Sequence, residues 1–513
     1  MHKALPTFLI WPLTLWLSIC LPARADTNQA VLQSDKNAES EFEKENVPLS
    51  CNSGTRSVPT TLQNGTVPFS PTMLLAWCPE NWDSPQELEQ RLFADAADGR
   101  LHKFSLLDAA LIASGVKDTA ELGRYRKRMA EWAGELKRSG GEDGSPRRQV
   151  EAIFAFLHGK ILKGKYNIQC TDLRQAFDEG RFNCVSATVL FNCLAGELGL
   201  SCCGLETPGH ALSRVYLPDG PLDVETTCPR WFCLQHDRLL NNVEGKGTVP
   251  FSPTMQAWCP ENRDSPPLHE NSDSPQKTIG QKPAKDKAKL REISPIQLTA
   301  MIYYNRGIDF LAEKRFADAA AANAKAIRLD PLSSTARGNF LATINNWAID
   351  LGNTGDYARA ADLLRQGLAC DPHYEAFTLN FAHVHHQWSQ DLCKEGKYAE
   401  AVELLNQAAS EMPDNAYFQR AVWDVYRHWA IALFEADKMD EAFAVFAQAR
   451  RRQGNCREEL ECELAAVIEY GKKLLANSRY EEARQVFDRA MVLQPEASVL
   501  RDNRSASGEN EGL

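Results

Sequence analysis

Cys184, His210 and Glu225 are three side chains whose types suit thiol chemistry, with Asp223 as a second candidate acid. A cysteine nucleophile needs a base to take its proton and an acid to orient that base. Together they would attack an amide carbonyl through sulfur and pass through a thioester, which water or an amine resolves. That chemistry needs no metal and no organic cofactor.

The elements that must position these groups are legible around them. Asn183 can cap the apolar, helix-like run that begins at Cys184. A thiol there feels the unpaired N–H groups of a helix start, which favour thiolate. The plainer reading is a buried structural cysteine, and Cys193, farther along the run, has that reading. After Pro208-Gly209, His210 opens an alternating strand in which His210, Leu212, Arg214 and Tyr216 share a face. An Asp219-Gly220 turn would pair Arg214 with Glu225 and Tyr216 with Asp223. Both acids then lie on the His210 face, with Glu225 nearer. The plainer alternatives are a turn histidine and an Arg214–Glu225 ion pair. Upstream, Leu88/Leu92/Phe93, Leu106–Ile112, Leu122/Tyr125/Met129/Trp132/Leu136 and Val150/Ile153/Phe154/Leu157 recur at helical spacing. We read 86–240 as one α+β domain.

The texts TDLRQAFDEGRFNCVSATVLFNCLAGELGL, PGHALSRV and DVETT resemble the transglutaminase-like superfamily of Cys-His-Asp thiol enzymes, which is papain-like in fold. The resemblance covers about Leu106–Thr227 and is closest to the bacterial branch with a helical N-terminal part. It implies Cys184 as nucleophile, His210 as general base and an acid in a D-x-T frame. Glu225-Thr226-Thr227 fits that frame with Glu for Asp, and Asp223 has the usual type two positions early. Phe182 stands where the family has Gly, and Val185 and Leu212 where it has aromatics.

The 513 residues are 43% hydrophobic and 24% charged, with a net charge of −11. That balance argues against a nucleic-acid partner. Residues 1–25 carry a basic start, an apolar run and Ala23-Arg24-Ala25, the pattern of a secretory signal peptide cleaved near Ala25. A lipoprotein signal ending at Cys20 is the weaker alternative. We therefore expect a periplasmic or extracellular chain, and no membrane span in its mature form. None of the 15 cysteines forms a C-x-x-C pair, and Cys202, Cys203, Cys228 and Cys233 could staple the site region. Residues 26–85 are a low-complexity segment containing GTVPFSPTMLLAWCPENWDSP. A near copy returns in 241–293, a linker, with 18 of 20 aligned positions identical. Such prolines exclude a packed helix. We read the copies as inserted linkers rather than a binding tag anchored by Trp77 and Trp258.

From 294 to 497 the chain repeats every 41 residues. Phe316, Tyr357, Tyr398, Met439 and Tyr480 hold one register, and Ala319, Ala360, Ala401, Ala442 and Ala483 another. Phe310, Leu351, Leu392, Leu433 and Leu474 hold a third, Ala326, Gly367, Ala408, Ala449 and Ala490 a fourth, and Trp347, Trp388, Trp429 and Tyr470 a fifth. Pro331, Pro372, Pro413 and Pro495 close units, with Gly454 in the remaining place. This implies five helix–turn–helix units. EKRFADAAAANAKAIRLDP, GDYARAADLLRQGLACDP and GKYAEAVELLNQAASEMP resemble tetratricopeptide (TPR) repeats, with each helix expected about a turn longer than in a 34-residue unit. The resemblance implies protein or peptide partners on a concave face. His383, His385 and His386 invite a metal reading, against which we take a polar helix surface. Residues 498–513 read as a disordered tail. The expected whole is mainly α: the α+β transglutaminase-like domain, then an all-α TPR solenoid. Its function is either thiol hydrolysis or acyl transfer on protein or peptide amides, or a non-catalytic interaction scaffold.

Overall fold

The computed structural model describes residues 87–141, 144–207, 209–233, 290–453, 457–493 and 497–509. The expected signal peptide, the low-complexity segment and both insert copies, with Trp77 and Trp258, lie outside the described residues. So do Cys20, Pro208, Gly454 and Pro495.

The N-terminal half is built on two helices that are apolar nearly all round. Helix α1 is Glu87–Asp95, α2 Leu106–Ala113, α3 Thr119–Leu136, α4 Pro146–Phe156, α5 Leu173–Asp178 and α6 Cys184–Glu197. A Ser105–Asp108 capping box starts α2, and every residue from Leu107 to Ala113 is buried. In α6 every residue from Cys184 to Asn192 is buried. A helix with no polar face belongs at the centre of a domain, and the other elements pack around these two. Short π-helical turns extend α3 through Gly141 and α4 through Ile161. Helix α5 docks on α3 by Trp132 stacked on Phe177 at 4.8 Å, and by Tyr125 Oη donating to Asp178 Oδ2 at 2.8 Å.

Strands β1 (Cys202–Thr207), β2 (His210–Leu217), β3 (Gly220–Val224) and β4 (Arg291–Ile293) form one antiparallel sheet, order β3-β2-β1-β4. Along β2 burial alternates: Ala211, Ser213, Val215 and Leu217 are inside, and His210, Leu212, Arg214 and Tyr216 are on the other face. The hairpin register differs from the expected one by two residues. Arg214 pairs with Asp223 and Tyr216 with Pro221, and the turn residues are Pro218-Asp219. Pro218, with its fixed φ, takes the first central position of the turn. Gly220 then opens β3 at φ +124°. A shift of two keeps both acids on the same face but ends the strand before Glu225.

Strand β4 lies in the stretch read as linker, and its pairing with β1 corrects that boundary. Gly204 makes room for it: a Cβ there would lie 2.8 Å from Ile293 Cγ1. Arg291 then bridges Glu206 and Asp330, at 2.5 Å and 2.6 Å from its Nη2. The next helix packs on α2, α6, β1 and β4. Its Tyr303 donates to Glu89 at 2.7 Å and its Tyr304 to Glu206 at 3.2 Å. The apolar core therefore runs without a break from the N-terminal half into the repeats.

The repeats are five antiparallel helix pairs. They are α7 (Pro295–Ala312) with α8 (Phe316–Leu329), α9 (Ser334–Asn353) with α10 (Tyr357–Cys370), and α11 (Glu375–Lys394) with α12 (Tyr398–Glu411). Helix α13 (Ala416–Glu435) pairs with α14 (Met439–Gln453), and α15 (Arg457–Ala476) with α16 (Tyr480–Leu493). Each register has its physical reason. The five alanines from Ala319 to Ala483 are fully buried where helices approach. At Gly367 a Cβ would meet the Phe377 ring at 2.6 Å. Phe316 stacks on Trp347, Tyr357 on Trp388 and Tyr398 on Trp429, with centroids 6.4, 6.2 and 5.9 Å apart, so each ring bridges one unit to the next. Met439 has no ring to continue the ladder, and Tyr470 stacks on Phe434 instead.

The turn inside each pair repeats too. Lys314, Gly355, Gly396, Asp437 and Ser478 all have positive φ. The next residue's N–H returns to the carbonyl of Phe310, Leu351, Leu392, Leu433 or Leu474. This is a left-handed helix cap, which glycine adopts most cheaply. Lys314→Gly is therefore expected to stabilise the chain by roughly 0.5–1 kcal/mol, measured by denaturant unfolding.

Two expectations change in this half. Helices α9, α11, α13 and α15 have 20 residues, whereas α10, α12 and α16 have 14. The extra length over a 34-residue unit is thus in the first helix of each pair, not shared. Residues 498–509, read as part of a disordered tail, form a helix, α17 (Ser498–Glu509). It packs on α15 and α16 with Leu500 fully buried, covering an apolar face that the last pair would expose.

Candidate functional site

Asn183 builds the start of α6. Its Oδ1 accepts from Val185 and Ser186 N–H at 3.0 Å each, and Ser186 Oγ accepts from Asn183 N–H at 2.9 Å. Its Nδ2 donates to Ile168 O at 3.0 Å and to Thr171 Oγ1 at 2.6 Å, tying the helix to the loop before it. Cys184 is thereby fixed as the first residue of the helix, 7% exposed and not in a disulfide.

His210, at the first position of β2, hydrogen-bonds the Cys184 thiol. Its Nε2 donates to Glu225 Oε2 at 2.6 Å, which leaves Nδ1 as the ring nitrogen for sulfur. The other Glu225 oxygen, Oε1, accepts from Thr227 N–H at 3.0 Å and Thr227 Oγ1 at 2.6 Å. The thiol first, and then the carboxylate, favour a protonated ring over the opposing burial, and push His210 up to about 10. Burial alone would raise Glu225; the hydrogen bonds from His210 and Thr227 outweigh it and hold the carboxyl below its ordinary range. Imidazolium and carboxylate thus stand paired beside the sulfur at neutral pH.

Asp223, the alternative acid, is committed elsewhere. It takes both Nε and Nη2 of Arg214, at 2.6 and 2.8 Å, and Arg214 Nη1 continues to Glu292 at 2.7 Å. The structure therefore brings Cys184, His210 and Glu225 together and leaves Asp223 in a surface ion pair. Cys202, Cys203 and Cys228 carry free thiols, and Cys233 is disulfide-bonded.

Three further neighbours complete the site: Tyr166 and His158, which the sequence reading did not single out, and Thr226, which it named only as part of the Glu225 frame. Tyr166 hydrogen-bonds the Cys184 side chain. Thr226, between the two Glu225 contacts, is buried and shares a 3.1 Å hydrogen bond with Thr188 of α6. His158, in the π-helical turn after α4, hydrogen-bonds the Thr226 backbone, and its Nε2 meets no polar partner among the described residues. None had a periodic signal, because each sits on an irregular segment or points inward from one.

Burial pushes His158 down to about 4, against the Thr226 hydrogen bond. An unfolded histidine titrates near pH 6.5. Its stabilising contribution is then complete above that pH and drains as the pH falls through 4. The expected loss is of the order of 3 kcal/mol. Denaturant midpoints between pH 7 and 4 should fall less steeply in His158→Gln, which keeps a donor but cannot charge.

Among the described residues, no three of His, Cys, Asp and Glu meet in a way that could hold a metal ion. His385 is buried, with Nδ1 2.8 Å from Phe381 O and its ring against Phe381 and Phe418. His386 Nε2 lies 2.9 Å from Gln390 Nε2. No helix among the described residues is long and apolar enough to cross a membrane.

No protein-family model matches the chain, and no curated protein matches it in sequence. Solved structures similar to it include a tetratricopeptide repeat protein from Parabacteroides merdae, at 12% identity and TM-score 0.17, over 42% of this chain and 73% of that one. A thermophilic TPR protein of Thermus thermophilus matches at 16% identity and TM-score 0.15, over 40% and 98%. YrrB, described as a TPR protein with an unusual peptide-binding site, matches at 16% and 0.14, over 42% and 92%. At these TM-scores the likeness carries no argument, and the repeat architecture rests on the helix pairs described above.

Proposed function

We propose that the chain is an exported, cysteine-dependent acyl-transfer enzyme of the transglutaminase-like kind. It acts on protein or peptide amides that its TPR-like helix pairs present. One observation carries this reading: the His210 ring neighbours both the Cys184 thiol and the Glu225 carboxylate, with Nε2 on Glu225. Sulfur attacks the carbonyl carbon, His210 gives its proton to the leaving amine, and water or a second amine releases the acyl group. Glu225 holds the ring in place and balances its charge. The chemical groups needed are all side chains and backbone of this chain. On this reading residues 86–240 form the catalytic domain, 294–497 the repeats, and 1–25 a signal peptide removed near Ala25.

The test is turnover of p-nitrophenyl acetate, with the acyl adduct located by peptide mass. An adduct on Cys184 that disappears in Cys184→Ala supports the reading. An adduct-free Cys184 in folded protein rejects it.

A second reading, a non-catalytic scaffold, draws on the 7% exposure of Cys184 and the bulk of Phe182 where the resembling family has Gly. It requires that a protein partner bind the full chain and its Cys184→Ala variant alike, with no acylation of either.

A further inference from the structure

The acid of the site is the one member outside any helix or strand. Cys184 starts α6 and His210 starts β2, but β3 ends at Val224, opposite Ser213, one residue before Glu225. Thr226 and Thr227 then turn the chain away. Glu225 has Oε2 on His210 Nε2, and Oε1 on Thr227 N–H and Oγ1. Those contacts aim the carboxylate but leave the turn itself to be placed. Thr226 is fully buried, and its Oγ1 lies 3.1 Å from Thr188 Oγ1. Thr188 is fully buried too. It stands four residues after Cys184, hence one turn along the same face of α6. A hydroxyl pair shielded from water thus joins the helix that carries the nucleophile to the turn that carries the acid.

A buried helix threonine has a nearer partner, the carbonyl four residues back. Thr299 in α7 and Thr343 in α9 use it, at 2.8 Å from Pro295 O and 2.7 Å from Asn339 O. Thr188 reaches across to Thr226 instead. Val185, Ala187, Val189 and Leu190 around it are buried and apolar, so packing alone asks for no hydroxyl there.

We propose that the Thr188–Thr226 hydrogen bond positions Glu225, and through it His210, against the Cys184 thiol. The proposal rests on the acyl-transfer reading above. Both threonines are positioning residues that act through the Glu225 carboxylate. A turn displaced by about 1 Å would stretch the 2.6 Å bond between His210 and Glu225 out of hydrogen-bond range. Misplacements of that size cost catalysis up to about 10²-fold.

Turnover of p-nitrophenyl acetate by the full chain, corrected for Cys184→Ala, tests this. Thr226→Val keeps the shape and loses the hydroxyl, and Thr188 can then fall back on the Cys184 carbonyl. Its kcat/KM is expected to drop about tenfold. Thr188→Val removes the same contact from the helix side and should drop equally, with no further loss in the double variant. Thr226→Ser keeps the hydroxyl and should stay within about twofold of the parent chain. In Glu225→Ala there is no carboxylate to place, so adding Thr226→Val should change kcat/KM by less than about twofold. Unchanged turnover in either valine variant would overturn the proposal. So would an equal loss with and without the Glu225 carboxylate, or a serine variant as impaired as the valine one. If one valine variant fails to fold, the other reads the same contact; failure of both makes the pair a structural contact and overturns the proposal as well. A parent chain with no Cys184-dependent turnover would instead sink the acyl-transfer reading, and the proposal with it.

Discussion

His210→Ala is expected to lower kcat/KM for p-nitrophenyl acetate by on the order of 10⁴-fold, with the fold intact. The imidazolium beside sulfur, which favours negative charge on it, is lost; on an amide substrate the proton that the leaving amine needs would be lost as well. The site depends on this one ring because it hydrogen-bonds both Cys184 and Glu225. Glu225→Gln should be milder, about 10²-fold. It removes the charge that helps hold His210 up at about 10, but leaves the Cys184 contact that acts first. A Gln that restored full activity would show that the carboxylate only positions the ring. Steady-state kinetics of the three chains, with circular dichroism as a control for folding, decide this.

The second large effect lies in the repeats. Phe377→Ala should destabilise the chain by about 3–5 kcal/mol. Phe377 is fully buried, packs against Tyr374 at 4.8 Å, and occupies the space that Gly367 of the preceding unit leaves free. Truncation opens a cavity at the contact between neighbouring units, and in a stacked array that contact carries much of the stability. Gly367→Ala alone should also destabilise, by roughly 1–3 kcal/mol, because its methyl would drive into the ring. In the double variant the methyl enters the space the ring vacated, so the two losses should fall short of adding. Urea unfolding of the four chains measures that coupling, and strict additivity would mean that the two residues do not share the space.

How much of this was legible in the sequence depended on whether a signal repeats or stands alone. The 41-residue period exposed the helix pairs because every unit solves the same packing problem. One small residue sits where helices touch, one ring bridges to the next unit, and one left-handed cap closes the turn. That cap is occupied by Lys314, Asp437 and Ser478 as well as two glycines, so composition alone hid it. In the site, the Asn183 cap and the alternation of β2 were readable from local pattern. The hairpin register was not, since Pro218 and the Asp219-Gly220 pair compete for the turn and proline takes the first central place. Strand β4 was hidden for another reason: three residues after a lysine-rich run pair with β1, across a long stretch of intervening chain. Helix α17 has few apolar residues, and its order comes from burying Leu500 on the last pair. Tyr166 and His158 gave no pattern because backbone contacts and burial place them.

The central claim is that His210, held protonated between Cys184 and Glu225, makes that thiol a nucleophile. The rate of Cys184 alkylation by iodoacetamide, followed by peptide mapping from about pH 5 to 10, tests it most directly. The account predicts that His210→Ala slows this alkylation at neutral pH by about tenfold or more. A rate that His210→Ala leaves unchanged across that range would contradict it.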